Sequence, residues 1–369
     1  LPEQKKLTIL IAPLDWGLGH ATRCIPLIKA CKDAGHHVLM ASSGRSLELL
    51  KKEFPTLTAI EIPSYNIYYQ KKGSFIIKII GQLGKVFRGI RREHRITADL
   101  VKQYHIDLII SDNRYGIYHS SVQSIIITHQ MMVKVPAFRI AEPFVYLWLQ
   151  WQHRNFNTVW IPDTASENNI SGDLSHKYRV PKHARFIGIL TRFRKPEITV
   201  PATNNILAII SGPEPQRTIF EDKIIEQAKN IKQQFILVRG ISEIEQDEKI
   251  ADNIRLISHL PGEALFQLIT QSEIIISRGG YSTLMDLALL NKKCIFIPTP
   301  GQTEQEYLVK ELHQKNMVYG STQDKFNLET ALQNLSGRSG FLIESDEMAF
   351  QPFLEEAINK ASGSRQHQN

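Results

Sequence analysis

Residues 276–312 read ISRGGYSTLMDLALLNKKCIFIPTPGQTEQEYLVKEL. An apolar run enters the turn Ser277-Arg278-Gly279-Gly280, and Ser282 and Thr283 open a helical pattern. A second apolar run follows at 294–298, and Pro298-Thr299-Pro300-Gly301 turns the chain into another helix. Strand, helix and strand in that order is the unit of a parallel sheet, because parallel neighbours need a crossover. Small residues after the first strand let backbone N–H groups converge at a helix start, where an anion such as phosphate is favoured. Asp286 falls one turn into that helix, within reach of a ribose hydroxyl pair. Glu304 and Gln305 in the following loop offer a carboxylate and an amide to sugar hydroxyls.

The same unit recurs on both sides. Towards the N-terminus, strands are read at 206–210, 235–239, 254–257 and 273–277, with helices at 219–230, 263–270 and 282–290. Ser211-Gly212 is a further small-residue turn at the same sheet edge, and Arg239 ends a strand there. Earlier still, strands at 7–12, 37–41, 57–62, 106–111 and 124–128 alternate with helices at 24–34 and 46–54. These strands are apolar almost without interruption, as in sheets covered on both faces. Residues 195–205, with Pro196 and Pro201 and little apolar content, read as a linker. The expected fold class is therefore α/β, with two doubly wound α/β domains facing across a cleft and ligands at the carboxyl ends of the strands. The expected division is 1–192, a linker at 193–200, a second domain at 201–345, and a helix at 346–362. That helix is amphipathic through Met348, Phe350, Phe353, Leu354 and Ile358 and returns to the first domain. Residues after about 361 read as a frayed tail.

The first strand is followed by GLGHATR, Gly17 to Arg23, which opens the first helix. Gly17 and Gly19 allow a sharp turn and close approach of backbone to a ligand. The spacing is not the dinucleotide fingerprint GxGxxG. His20 stands at the mouth of the next helix, where an imidazole can take a proton from a hydroxyl near neutral pH or simply cap the helix. Asp112 and His129-Gln130 follow strands whose ends share that edge. A carboxylate there either orients the imidazole or caps the next helix.

Composition narrows the classes. The chain has 369 residues, 42% hydrophobic and 22% charged, so a wholly disordered chain is excluded and two domains are expected. No run approaches the ~20 apolar residues of a membrane span, and the short run 7–12 does not suggest a retained signal peptide. Three cysteines without a CxxC pair suit a reducing cytoplasm, with Cys24 and Cys31 as small buried residues. Thirteen histidines without HExxH or comparable spacing point to no metal site, and no cofactor is expected.

The net charge of +7 needs a location. From Phe75 to Arg95, Ile76, Ile79, Ile80, Leu83, Val86, Phe87 and Ile90 recur at helical spacing. Lys78, Lys85, Arg88, Arg91, Arg92 and Arg95 lie opposite, interrupted only by Glu93. This segment either meets an anionic membrane surface or buries its stripe in the first domain and solvates its charges. Nucleic acid is not an expected partner, because aromatic residues do not interleave the basic ones. Tyr146, Trp148, Trp151, Phe156 and Trp160 read as core aromatics or a sugar-stacking wall.

The segment 276–312 resembles the donor-binding signature of nucleotide-sugar glycosyltransferases of the two-domain GT-B fold, in the MurG-like group with a glycosyltransferase family 28 C-terminal-type domain. It matches that signature at Ser277, Arg278, Gly280, Thr283, Pro298 and Gln305. The Gly17–Arg23 loop resembles the Gly-rich, His-bearing first loop of the group, and His129-Gln130 resembles its acceptor-side pair. The chain departs from the signature at three places: Asp286 stands for Glu, Asn291 and Lys293 for Gly and Pro, and Glu306 for the second Gln. The resemblance implies transfer of a sugar, most simply from a UDP-sugar, to a hydroxyl acceptor on a glycan or a lipid-linked carrier, without a metal, at the cytoplasmic face of the membrane. It further implies His20 as base, backbone near Leu260 and Gly262 reading the nucleotide base, and Ser211, Gly212, Ser277, Gly279, Gly280, Ser282, Thr283 and Asp286 around the donor. Arg278 and Arg239 would stand near its phosphates. The string from Gly17 to Cys24 also resembles PseG-type nucleotide-sugar hydrolases, which use water as acceptor. A nucleotide-sugar 2-epimerase and a non-catalytic nucleotide-sugar-binding protein are further alternatives.

Overall fold

The structure is a computed structural model that describes residues 6–64, 75–135, 139–194, 203–241 and 245–364. Most of the expected linker, the side chains of Ile76, Lys78, Ile79, Ile80 and Leu83 and the end of the tail lie outside the described residues. The chain divides into two compact units.

Unit 1 comprises Leu1–Ser166, Asp173–Leu190 and Met348–Asn369. Its strands are β1 (Thr8–Pro13), β2 (His37–Ser42), β3 (Thr58–Glu61), β4 (Leu108–Asp112), β5 (Gln123–Ile127), β6 (Thr158–Ile161) and β7 (Ala184–Phe186). They form one sheet in the order β3-β2-β1-β4-β5-β6-β7, parallel throughout. Its helices are α1 (Gly19–Asp33), α2 (Gly44–Glu53), α3 (Phe75–Tyr104), α4 (Glu142–His153) and the short α5 (Asp173–His176). The apolar runs behave as burial on both faces requires: Ile9, Leu10, Ile11, Leu108, Ile109 and Ile110 are fully buried. The strand order reverses between β1 and β4, and Pro13 pairs with Asp112 at their carboxyl ends. A reversal of this kind opens a crevice beyond the strand ends.

Unit 2 comprises Glu167–Gly172 and Thr191–Glu347. Its strands are β8 (Thr203–Ile209), β9 (Gln234–Val238), β10 (Asp247–Ala251), β11 (Ile254–Ile257), β12 (Ser272–Ser277), β13 (Lys293–Phe296) and β14 (Tyr319–Gly320). The order is β10-β11-β9-β8-β12-β13-β14, parallel except for the β10–β11 hairpin. Its helices are α6 (Gln216–Ala228), α7 (Gly262–Gln271), α8 (Tyr281–Ala288), α9 (Thr303–Gln314) and α10 (Leu328–Gln333). The reversal here lies between β8 and β12, with Ile209 aligned to Ser277. The last helix, α11 (Gln351–Ser364), belongs to unit 1 and packs against β4 and β5.

Several features differ from the sequence reading. Residues 167–172 belong to unit 2 although they precede the end of unit 1 in the chain: Lys315 Nζ donates to the Glu167 carbonyl at 3.4 Å. α1 begins at Gly19, ahead of the apolar stripe, so His20 lies inside the first helical turn. Glu93 is buried and turned inward, so it does not interrupt the basic side of α3. The aromatic cluster divides, with Phe156 and Trp160 buried in the core and Trp151 exposed.

Candidate active site

In unit 1 the β1–α1 turn places Gly17 at φ +81°, and Ser46 Oγ donates to its carbonyl at 3.0 Å. Gly19 starts α1, so His20 and Arg23 fall one turn apart on the same helical face. Both point at the end of β4. Arg23 Nε donates to Asp112 Oδ2 at 2.5 Å, and Arg23 Nη2 donates to Asp112 Oδ1. His20 Nδ1 lies 3.0 Å from the same Oδ1, and 2.8 Å from Arg23 Nη2. Arg23 Nη1 reaches His129 Nδ1 at 3.2 Å. Four of the residues read from sequence, His20, Arg23, Asp112 and His129, thus meet in one network. Gln130 is half-buried beside it, its backbone N–H donating to Thr128 Oγ1 at 3.1 Å.

Electrostatics follow from burial. Asp112 is fully buried. Burial opposes its charge, but Arg23 and then His20 hold its carboxyl well below the usual carboxylate range. His20 is shifted down by burial and then by the Arg23 cation, against the opposing pull of Asp112, so the imidazole is neutral. Nη2 carries two protons and gives one to Asp112, but the carboxylate anion 3.0 Å from Nδ1 is the stronger partner for that ring nitrogen and calls for a proton on it. Nδ1 therefore keeps its own proton and donates it to Asp112, leaving Nε2 as the basic atom. The His20 side chain keeps 15% of its surface exposed, so an edge of the ring is reachable from solvent. Cys24 Sγ donates to Asp112 Oδ2 at 3.6 Å, and burial pushes its thiol well up.

In unit 2 the corresponding edge carries Ser211 and Gly212 after β8 and Arg278, Gly279 and Gly280 after β12. Gly212 adopts φ +116°, and a Cβ there would sit 3.4 Å from Thr299 Oγ1. The Thr299 hydroxyl is buried without a hydrogen-bond partner among the described residues. Gly279 is required by packing, since a Cβ would lie 2.1 Å from Val309 Cγ2. Gly280 N-caps α8 and has ordinary room for a Cβ. Ser282 and Thr283 follow in the first turn, both half-buried. Leu260 and Gly262 flank the start of α7 and are half-buried too.

Two arginines near this edge serve the fold. Arg278 is buried and donates to the carbonyls of Ser211, Gln216, Ile297 and Pro298, with its guanidinium 4.1 Å from the Phe220 ring centroid. It ties strand ends together, and burial lowers its pKa to about 10. Arg239 forms a two-bond pair with Glu221, at 3.0 and 2.9 Å. Gln305 Oε1 accepts from the Thr299 N–H at 2.9 Å, and Glu306 Oε1 accepts from the Gly301 N–H at 2.9 Å. The carboxylate found at the second position of the Gln pair thus pins the turn before α9. Glu304 is half-buried on the first turn of that helix.

Asp286 has partners that the sequence reading did not name. Thr191 Oγ1 donates to Oδ1 at 3.1 Å and Arg192 Nε donates to Oδ2 at 3.1 Å. Burial nevertheless raises its pKa, with Arg192 and Thr191 working against the rise. Arg192 also lies over the Phe193 ring, 4.7 Å from its centroid, and Phe193 stacks on Phe266 of α7 at 5.1 Å. Arg114 was likewise missed. It is fully buried, donates to Glu93 at 2.7 Å and to Asp15 at 3.2 Å, and caps the Pro13 carbonyl at 3.0 Å. A lone Arg two residues beyond Asp112 carries no pattern that announces such a hub.

Comparison with known proteins agrees with this architecture. Residues 217–360 match the Glycosyltransferase family 28 C-terminal domain, and residues 8–129 match Glycosyl transferase family 1. A relative from Methanosarcina acetivorans, named as an uncharacterized glycosyltransferase, is 25% identical over 81% of this chain and 80% of its own. The glycosyltransferase SnogD from Streptomyces nogalater superposes with a TM-score of 0.58 at 14% identity, covering 97% of this chain and 96% of its own. MurG from Acinetobacter baumannii gives 0.53 at 12% identity, covering 96% and 95%. The two reversing parallel sheets give the chain the GT-B fold, and each half matches a glycosyltransferase family model.

Proposed function

We propose that the protein transfers a sugar from a UDP-sugar to a hydroxyl acceptor, with His20 as general base. The carrying observation is the 3.0 Å contact between His20 Nδ1 and Asp112 Oδ1 at the switch point of the first sheet. In the reaction, His20 Nε2 takes the acceptor hydroxyl proton as its oxygen bonds to the sugar's anomeric carbon. The bond from that carbon to the diphosphate oxygen breaks, and the nucleoside diphosphate leaves with the electron pair. Charge developing on that diphosphate is stabilised by the N-terminal N–H groups of α8. Asp286 takes the ribose hydroxyls with its remaining lone pairs, and Gln305 and Glu304 stand at the sugar.

We assign the acceptor to a glycan or lipid-linked carrier at an anionic membrane surface. Lys85, Arg88, Arg91, Arg92 and Arg95 of α3 are exposed. On α4, Phe144, Leu147 and Trp151 are 70%, 61% and 56% exposed at spacings of three and four, an apolar stripe on one face. Phe87 of α3 meets Trp148 of α4 edge-on at 6.0 Å, which joins the basic and apolar faces. No helix among the described residues is long and apolar enough to cross a membrane.

The test is a panel of UDP- and dTDP-linked sugars, with and without soluble glycan and polyprenol-linked acceptors. Expected is release of nucleoside diphosphate that requires an acceptor, survives EDTA, and falls at least ~100-fold in His20→Ala. Release at full rate without acceptor overturns transfer in favour of hydrolysis, and full activity in His20→Ala removes the mechanism.

A further inference from the structure

The pairing of Arg23 with Asp112 alters what a His–Asp pair does. Where a buried carboxylate faces an imidazole alone, its charge stabilises the imidazolium and strengthens the base. Here the carboxylate is already satisfied by a two-pronged guanidinium, and that cation stands 2.8 Å from the imidazole nitrogen facing Asp112. From these contacts we infer that Arg23 is a positioning residue which fixes the His20 tautomer through Asp112 and keeps the imidazole uncharged until it receives the acceptor proton. The inference rests on the role proposed for His20.

Three observations carry it. First, the fork geometry: Nε and Nη2 each bind a different oxygen of Asp112, so the carboxylate plane is fixed and Oδ1 is aimed at Nδ1. Second, the spacing: His20 and Arg23 are three apart on α1, so one turn of helix sets the guanidinium against the ring. Third, the surroundings: charged or titratable groups meeting this cluster include Arg23 and Cys24 from α1, Asp112 from β4, Tyr115 beyond β4, whose phenol feels the Asp112 charge, and His129 beyond β5. Arg23 also places a donor on His129 Nδ1, so the proton of that ring belongs on Nε2. One guanidinium thereby contacts both imidazoles of the network. The price is base strength. A neutral imidazole beside a cation is a weaker base than one beside a free carboxylate, but it is held in its unprotonated form more fully at a given pH.

The experiment measures His20 itself as well as turnover. The full-length protein is labelled with 13C at histidine, and the His20 resonance is identified by its loss in His20→Asn. Its titration is followed in the parent, in Arg23→Gln and in Arg23→Lys. In Arg23→Gln the midpoint is expected to rise by about one unit, because the lowering cation is gone while Asp112 remains. The acid limb of kcat/KM moves up with it. In Arg23→Lys the charge is kept and the fork is lost, so the midpoint stays low while kcat falls about tenfold or more at unchanged KM. A His20 midpoint in Arg23→Gln no higher than in the parent overturns the inference, as does parental kcat in Arg23→Lys. Should Arg23→Gln fail to fold, Arg23→Lys alone decides through kcat. The titration needs no turnover, so a shifted midpoint in a protein that transfers no sugar refutes the transferase reading and leaves this one standing.

Discussion

Arg23 and Asp112 close a two-bond ion pair beneath the first turn of α1, with side-chain exposures of 2% and 0%. Such a pair adds little net stability against apolar residues of the same shape, yet breaking it strands a charge. Asp112→Ala is therefore expected to cost about 3–5 kcal/mol in urea unfolding. The double variant Arg23→Met with Asp112→Leu should recover most of that loss while remaining inactive. A double variant as unstable as Asp112→Ala would show that the damage lies in packing at the end of β4 instead of in the stranded guanidinium.

His153 gives the fold a pH dependence separate from the site. Both ring nitrogens lack a hydrogen-bond partner among the described residues, and the side chain is fully buried beside Tyr115. Burial first, and the neighbouring His183 second, lower its pKa to about 4 from the ordinary 6.5. The unfolded chain thus binds a proton between pH 6.5 and 4 that the folded chain refuses. The stability contribution is complete above about pH 6.5, declines as pH falls, and levels off below about pH 4, a total of about 3 kcal/mol. His153→Leu should flatten the stability profile over that window, measured by denaturant midpoints at stepped pH. An unchanged slope would place the acid sensitivity elsewhere.

Much of this was legible in the residues because parallel strands are written as uninterrupted apolar runs. Residues 7–12, 37–41, 206–210 and 273–277 each became a buried strand, and the loops after them carry the small residues that a switch point needs. Short or polar strands escaped: β6 is four residues following an aromatic stretch, and β10, DEKIA, is an edge strand whose first three residues are charged and exposed, leaving only Ile250 and Ala251 to pack on the core. His20 and Asp112 were readable as loop chemistry. The Arg23 fork, the Arg192 contact to Asp286 and the Arg114 hub were not. A charge pair 89 or 94 positions apart leaves no local spacing to recognise, and its cost or benefit exists only once both side chains leave water.

Gly279 and Val309 make a packing prediction at the donor edge. A Cβ on Gly279 would lie 2.1 Å from Val309 Cγ2, and Gly320 approaches the other methyl, its own hypothetical Cβ 2.6 Å from Cγ1. One valine of α9 is wedged between two glycines. Gly279→Ala should destabilise by about 1–3 kcal/mol through overpacking. In a Val309→Ala background the same change should cost far less, giving a favourable coupling in a double-mutant cycle of thermal or urea unfolding. Additive losses would place the cost of the added methyl outside its contact with Val309.

The exposed stripe on α4 makes the membrane assignment measurable. Phe144, Leu147 and Trp151 share one helical face, and each large apolar side chain removed from water contributes up to about 1.5–3 kcal/mol. Partial insertion of three such groups is enough for micromolar binding when basic residues add roughly 1 kcal/mol each near an anionic surface. Sedimentation with vesicles containing phosphatidylglycerol should capture the protein at low salt and release it as salt rises. Phe144→Ser with Trp151→Ser should weaken capture at least ~10-fold at every salt concentration, because these side chains supply the apolar part. Replacing Arg88, Arg91 and Arg95 with Gln should instead reduce the salt dependence. Both sets leave the His20 network untouched, so turnover on a water-soluble acceptor is expected to stay at the parental rate while turnover on a vesicle-bound acceptor falls. Equal capture by neutral and anionic vesicles would remove the anionic surface from the proposed function, while no capture by either, or a Ser variant that sediments like the parent, would remove the α4 membrane contact and leave a soluble acceptor.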